Sequence, residues 1–362
     1  MDSIPAEDYT RLLANKKARI ESLYQVLSPP PLEVFASQPQ GYRMRAEFRL
    51  WHDGDDLYYA MFQGEDRKIP QRIDSFPVAC SRIQTAMPIL RTALLNNPQL
   101  RRKLFQVEFL ATLSGELLVS LIYHRALDED WVAAASPLEE LLGASLVGRS
   151  RKQKMVISRD FVEEMLALED RTYHYRQYEQ AFTQPNAGVN CEMIKWACDN
   201  ARGNGADLLE LYCGNGNFTL PMASLFESVI ATEVSKASIR AAQHNCAINQ
   251  VDNIEFIRLS AEEVSEALAG GREFRRLQGL PRALVDYRFS TIFVDPPRAG
   301  LDPATTKLVS QFDNVIYISC NPATQIENLK ALAATHDVKA LALFDQFPYT
   351  DHIECGAALS KR

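Results

Sequence analysis

The chain has seven cysteines in 362 residues, yet no two of them form a C-x-x-C pair; they lie at 80, 191, 198, 213, 246, 320 and 355. That scatter argues against zinc or iron–sulfur ligation and gives no disulfide framework. No apolar run approaches the roughly 20 residues needed to span a bilayer. The longest, Leu117–Tyr123, has the length of a strand. The opening MDSIPAEDYT is polar and acidic, unlike a secretory leader. Repeats and low-complexity tracts are absent as well. What is present, 46% apolar and 23% charged residues, is the composition of a globular protein with a packed core. The expected setting is a reducing cytoplasm, with no membrane partner.

Positive charge is scarce overall, since the net charge is −7. Residues 1–160 carry 21 Lys/Arg and 20 Asp/Glu, a net of +1, and residues 161–362 carry 18 and 26, a net of −8. The excess negative charge therefore sits in the second half, which leaves a basic surface on the first half open.

The pattern divides the chain in two. The first part, residues 1–180, reads as α+β with antiparallel sheet. A helix runs to about Leu27, and Tyr42–Trp51 alternates apolar and charged residues as a strand with one wet face. The His52-Asp53-Gly54-Asp55 turn returns it, and a second hairpin joins 104–113 to 117–123. Residues 161–183 read as a connector helix and an extended link. From 181 to 362, strands alternate with helices at 207–212, 229–233, 254–259, 291–295 and 314–319, and a hairpin of 338–344 and 353–359 closes the set. This is an α/β, Rossmann-like, mostly parallel sheet of seven strands.

The chemistry lies at strand exits. "DLLELYCGNGNFTL" is a strand, a Gly214-x-Gly216 loop and a helix start, which lets backbone amides approach a ligand. A dinucleotide fingerprint wants a third glycine where Thr219 stands, so a nicotinamide oxidoreductase is disfavoured. Glu233 ends the next strand, where an acid can accept from ribose hydroxyls. "DPPR", Asp295–Arg298, holds an acid at the mouth of the fourth strand, and Cys320 follows the fifth in "SCNP". Position alone leaves Cys320 either a small buried residue or a reactive thiol. Glu354, in "DHIECG", begins a strand that can bring it toward Cys320.

Four loops agree, at 212–218, 233, 295–298 and 320–322. With the DPPR, SCNP and HxECG motifs, and with "YRMRAEFRLWHDGDDLY" and "FTQPN" in the first half, the chain resembles the S-adenosylmethionine-dependent RNA 5-methyluridine methyltransferases, most of all their bacterial tRNA (uracil-5-) branch. The resemblance implies uridine C5 methylation in the tRNA T-loop, at position 54, through a covalent adduct. It implies Cys320 as nucleophile, Glu354 as proton-abstracting base, and Gln184, Tyr212, Asn217, Glu233 and Asp295 as cofactor contacts. Relatives acting on ribosomal RNA carry four cluster-binding cysteines and an added barrel. This chain has only Cys80 before residue 191, so no iron–sulfur cluster and no metal are expected.

The resemblance implies the tRNA T-arm as RNA partner, with tRNA-like domains of other RNAs inside the same expectation; a monomer is expected. Arg43, Arg45 and Arg49 share one strand face with Glu47, the run 148–154 adds a second basic patch, and Phe105 and His124 are placed to stack on unpaired bases. Asp295 and Arg298 are candidates for orienting the uracil. The competing reading from another class is an RNA-folding protein acting on the tRNA elbow, with catalysis secondary.

Overall fold

The computed structural model describes residues 6–62, 69–169 and 171–362; residues 1–5, which open the first expected helix, lie outside it. The chain begins with helix α1 (Ala6–Tyr24) and a short strand β1 (Glu33–Phe35). It forms two compact units. The first holds Gln38–Leu166 and Arg176–Ala187; the second holds Ala6–Ser37, Ala167–Tyr175 and Gly188–Arg362.

In the first unit, β2 (Arg45–Asp53), β3 (Asp56–Met61), β4 (Gln71–Ile73), β5 (Leu104–Ala111), β6 (Leu117–Tyr123), β7 (Ser145–Ser150) and β8 (Gln153–Val156) form one sheet in the order β4-β3-β2-β5-β6-β7-β8. Ala46, Phe48 and Leu50 of β2 point into a core shared with helix α2 (Ser81–Asn96), so Arg45, Glu47, Arg49 and Trp51 take the other face. Three shorter helices, α3 (Pro98–Arg101), α4 (Glu129–Ala135) and α5 (Pro137–Leu142), complete the unit. The sheet is antiparallel except that β6 and β7 run parallel, because α4 and α5 form a crossover between them. Trp131 of α4 packs on Gly148 of β7, where an added Cβ would fall 2.3 Å from the ring. The glycine of the expected basic run thus serves packing.

Residues 161–183 do not form the expected connector helix. They form a hairpin, β9 (Phe161–Leu168) and β10 (Arg171–Tyr178). The inward positions of β9 are Val162, Glu164, Leu166 and Leu168. A glutamate among them hides the period of two. Glu164 is tolerated because backbone N–H groups of Leu113 and Met165 donate to its carboxylate.

The second unit continues with α6 (Ala187–Ala201), α7 (Thr219–Ala223), α8 (Lys236–Asn249), α9 (Ala261–Leu268), α10 (Pro303–Val309) and α11 (Pro322–Leu332). They flank β11 (Asp207–Leu211), β12 (Ser228–Thr232), β13 (Ile254–Ile257), β14 (Phe289–Val294), β15 (Asn314–Ser319), β16 (His336–Phe344) and β17 (Glu354–Lys361). The order β1-β16-β17-β15-β14-β11-β12-β13 makes a doubly wound sheet whose strand order reverses between β11 and β14. To the seven expected strands it adds β1, which pairs parallel to β16 and is too short to announce itself in sequence.

The division also differs from a boundary at 180/181. Ile20 and Tyr24 of α1 are fully buried in the second core, and Lys16 makes a buried ion pair of 2.7 Å with Asp345. Residues 6–37 therefore belong with the second unit.

Candidate active site

Strands β11, β12, β14 and β15 pair in parallel, so their carboxyl ends share one edge of the sheet. Tyr212, Glu233, Asp295 and Cys320 each follow one of these strands directly. Strand β17 runs antiparallel to β15, with Ser319 opposite Cys355. Reversal places the start of β17 at that same edge, and Glu354 stands one residue from the pair beside Cys320. The backbone ladder thus brings the two residues together.

Their surroundings are acidic. Cys320 is half-buried; its thiol is pushed up to about 11 by burial, with Glu354 and Asp295 adding to the shift and Arg298 opposing it. Glu354 is buried, and burial together with Asp295 holds its carboxyl well above the usual carboxylate range. Burial raises Asp295 to about 7. Arg298, exposed at the end of DPPR, is the cation acting on both Cys320 and Glu354.

The motif residues hold one another. Asn321 caps α11 by accepting from the Ala323 N–H, and its Nδ2 donates to the Arg298 carbonyl at 2.8 Å. SCNP and DPPR are thereby tied together. Gln325, one turn into α11, donates to the carbonyls of Tyr317 and Cys355, on β15 and β17. The Tyr24 hydroxyl of α1 donates to Gln325 Oε1 at 2.5 Å. A cavity of about 480 Å³ opens at Cys320, walled by the 320–323 loop, Arg298, residues 351–353 and helix α1. Sequence reasoning missed α1 here, since nothing local in a helix says which distant loop it covers.

The glycine loop is built around Glu233. Its Oε2 accepts from the Gly214 N–H at 3.2 Å and its Oε1 from the Ser235 N–H at 2.7 Å. Each oxygen keeps a second lone pair, and the side chain is half-buried. Gly214, at φ +57°, faces open space where a Cβ would stand, and Tyr212 holds a left-handed φ of +64°. Burial pushes the Tyr212 phenol up to about 12, with Glu262 and Asp302 adding. The Asn217 side chain is already engaged, in a reciprocal amide pair of 2.9 Å bonds with Asn190. A nucleoside fits this loop: an open glycine face, an acid with spare acceptors and an exposed edge. Glu210, inside β11, was not singled out from sequence, although it is the one charge in the apolar run LLELY. It is buried with Oε2 unpartnered. Gln184 lies in the first unit, after β10, with its Oε1 buried and unpartnered.

In the first unit the outer sheet face carries a cavity of about 620 Å³ lined by Glu47, Arg49, Trp51, Phe62 and Phe105 among others. The Arg49 guanidinium sits 3.8 Å over the Phe105 ring, which stacks on His124 at 4.1 Å. Phe105 therefore belongs to this outer face. Arg45 instead donates to the carbonyls of Glu179 and Ala181, and Arg149 and Lys154 pair with the buried Glu179 carboxylate. Much of the expected basic patch is spent internally. Among the described residues no cluster of three His, Cys, Asp or Glu could hold a metal ion, and no helix is long and apolar enough to cross a membrane.

A doubly wound sheet whose carboxyl edge carries a glycine loop, an acid with spare acceptors, a thiol and a buried carboxyl has the architecture of a Rossmann-like methyltransferase. The chain belongs to the tRNA (uracil-5-)-methyltransferase family, whose model matches residues 8–362. It is 57% identical to the tRNA/tmRNA (uracil-C(5))-methyltransferase of Azoarcus sp. (strain BH72), over 99% of this chain and 97% of that protein. It is 53% identical to the protein of the same description from Aromatoleum aromaticum, over 100% and 98%. A Pyrococcus abyssi tRNA (uracil-54, C5)-methyltransferase, solved with S-adenosyl-L-homocysteine, shares the fold at TM-score 0.73 and 22% identity, over 97% of this chain and 83% of that one.

Proposed function

We propose that this protein methylates C5 of a uridine in the tRNA T-loop, at position 54, with S-adenosylmethionine as donor, through a covalent bond from Cys320 to C6, and that it works in the cytoplasm. The observation carrying this reading is the β15–β17 register, which sets a thiol and a buried carboxyl at one sheet edge beside the glycine loop. Tyr212, Asn217, Glu233 and Asp295 are the proposed cofactor contacts on that edge; Gln184 is proposed as a further cofactor contact on its family motif alone.

Uracil C5 is a poor nucleophile until C6 is attacked. Cys320 must first lose its proton, which Arg298 favours and burial opposes. Its sulfur then bonds to C6, and the C5–C6 π pair moves into the ring as an enolate. When bound, the cofactor supplies an electrophilic methyl group and a positive charge that favours the ionised forms of Cys320, Asp295 and Glu354. After C5 has gained the methyl group, Glu354 takes the C5 proton. Its raised pKa makes it a competent acceptor. The C5–H pair re-forms the double bond and expels the thiolate. A uridine stacked in a folded loop cannot present C5 and C6 to these groups, so the base must be flipped out. The outer face of the first unit, with Arg49, Phe105 and His124, is the proposed stacking surface for unpaired T-loop bases.

The test uses a T-arm RNA with 5-fluorouridine at the target position. The C5 fluorine blocks proton removal, so a gel-stable adduct mapping to Cys320 is expected, and Cys320→Ala should give none. Failure of the wild-type protein to form that adduct would sink the covalent route. Nucleoside mass spectrometry of tRNA from a deletion strain should show loss of 5-methyluridine.

A further inference from the structure

Helix α1 carries four basic side chains, and three are matched to carboxylates: Arg11 to Asp8, Lys16 to Asp345 and Lys17 to Glu21. Arg19 has no ion pair among the described residues. Its one side-chain hydrogen bond runs from Nη2 to the Asp351 carbonyl at 2.7 Å. Arg19 lines the same 480 Å³ cavity as Cys320 and Arg298. The Arg298 guanidinium likewise has no hydrogen-bond partner among the described residues. Both arginines are exposed, whereas Cys320 is half-buried. The cavity thus presents two exposed guanidiniums beside the thiol. The exposed Asp351 and His352 share the rim.

A uracil ring is neutral and asks for no cation. Two guanidiniums with unused donors at the rim match an anion attached to such a ring, and a guanidinium fork suits phosphate in particular. We propose that Arg19, together with Arg298, holds the backbone phosphate of the flipped target nucleotide, so that α1 positions the substrate over Cys320. This rests on the methyltransferase reading above. The anchoring supports it: Lys16, Ile20 and Tyr24 fix α1, and Tyr24 grips the Gln325 that bridges β15 and β17. The helix that carries Arg19 is thereby fixed to the unit that carries the thiol.

The experiment measures equilibrium binding of an unmodified T-arm RNA across a range of KCl, in a Cys320→Ala background so that no covalent bond contributes. Arg19→Gln should weaken binding about tenfold and lower the slope of log Kd against log[salt] by about 0.7, the value for one lost single-strand phosphate contact. Arg19→Lys should restore most of the slope. Arg11→Gln, which removes a cation of the same helix away from the cavity, should leave the slope at its wild-type value. An unchanged slope in Arg19→Gln, or an equal loss in Arg11→Gln, overturns the proposal. The 5-fluorouridine adduct of the parent protein is scored separately, so a failed methyltransferase reading and a failed phosphate contact give different results.

Discussion

Glu210 sits mid-strand in β11, 1% exposed, with one carboxylate oxygen unpartnered. Burial raises its carboxyl to about 8, and Asp295 adds to the shift. A folded-state value above the unfolded one means stability that is complete below about pH 4.5 and drains as pH climbs through 8. Glu210→Gln removes that slope. Thermal unfolding from pH 5 to 9 should show the variant gaining on the parent as pH rises, by a few kcal/mol at pH 9, about 1.4 kcal/mol per unit. A constant gap would mean that the carboxyl is ionised throughout. Cys320 permits a second measurement at this scale. Asp295→Asn should speed its alkylation by iodoacetamide at neutral pH and shift the rate profile to lower pH, because a negative neighbour is gone. Arg298→Ala should shift the profile upward. Peptide mass spectrometry separates Cys320 from the other six thiols, and opposite signs for the two variants are the expected result.

Among elements, β17 carries a tight packing constraint at its third residue. A Cβ on Gly356 would stand 2.7 Å from Trp196 Cζ3 and 3.0 Å from Phe344 Cε2. Gly356→Ala should therefore cost about 1–3 kcal/mol in denaturant unfolding. An unchanged midpoint would show that the Trp196 ring can yield. The glycine closing the HxECG motif thus has a packing reason, which sequence could flag but not explain. Strands β11 to β17 were legible because apolar runs alternate with helical stretches. The β9–β10 hairpin was not, since Glu164 occupies an inward position and breaks the alternation. The parallel pairing of β6 with β7 was not legible either, because strand direction depends on what crosses between strands.

For the molecule as a whole, the two cores separate along a line that the chain order conceals. Residues 6–37 belong to the second unit although they precede the first. A fragment of residues 181–362 lacks the helix that covers its core at Ile20 and Tyr24, and lacks the edge strand β1. It should be poorly folded, with weak near-ultraviolet dichroism and dye binding to exposed apolar surface. Sharp, cooperative melting of that fragment would count against this account. The candidate chemistry stood out because Tyr212, Glu233, Asp295 and Cys320 each follow a strand directly and Glu354 opens one. Helix α1 as a wall of the cavity was not, because its contacts span some 300 residues of sequence.

The reversed direction of β17 has a further consequence. A ladder of main-chain bonds gauges the sulfur and the carboxyl against each other, and the bend before residue 354 has no part in that gauge. An extra residue inserted in that bend leaves Glu354 at its post, whereas one inserted just after it turns the carboxyl to the opposite side of the sheet. Evolution, or an engineer, is thus free to reshape the rim for another RNA without retuning the reaction beneath it.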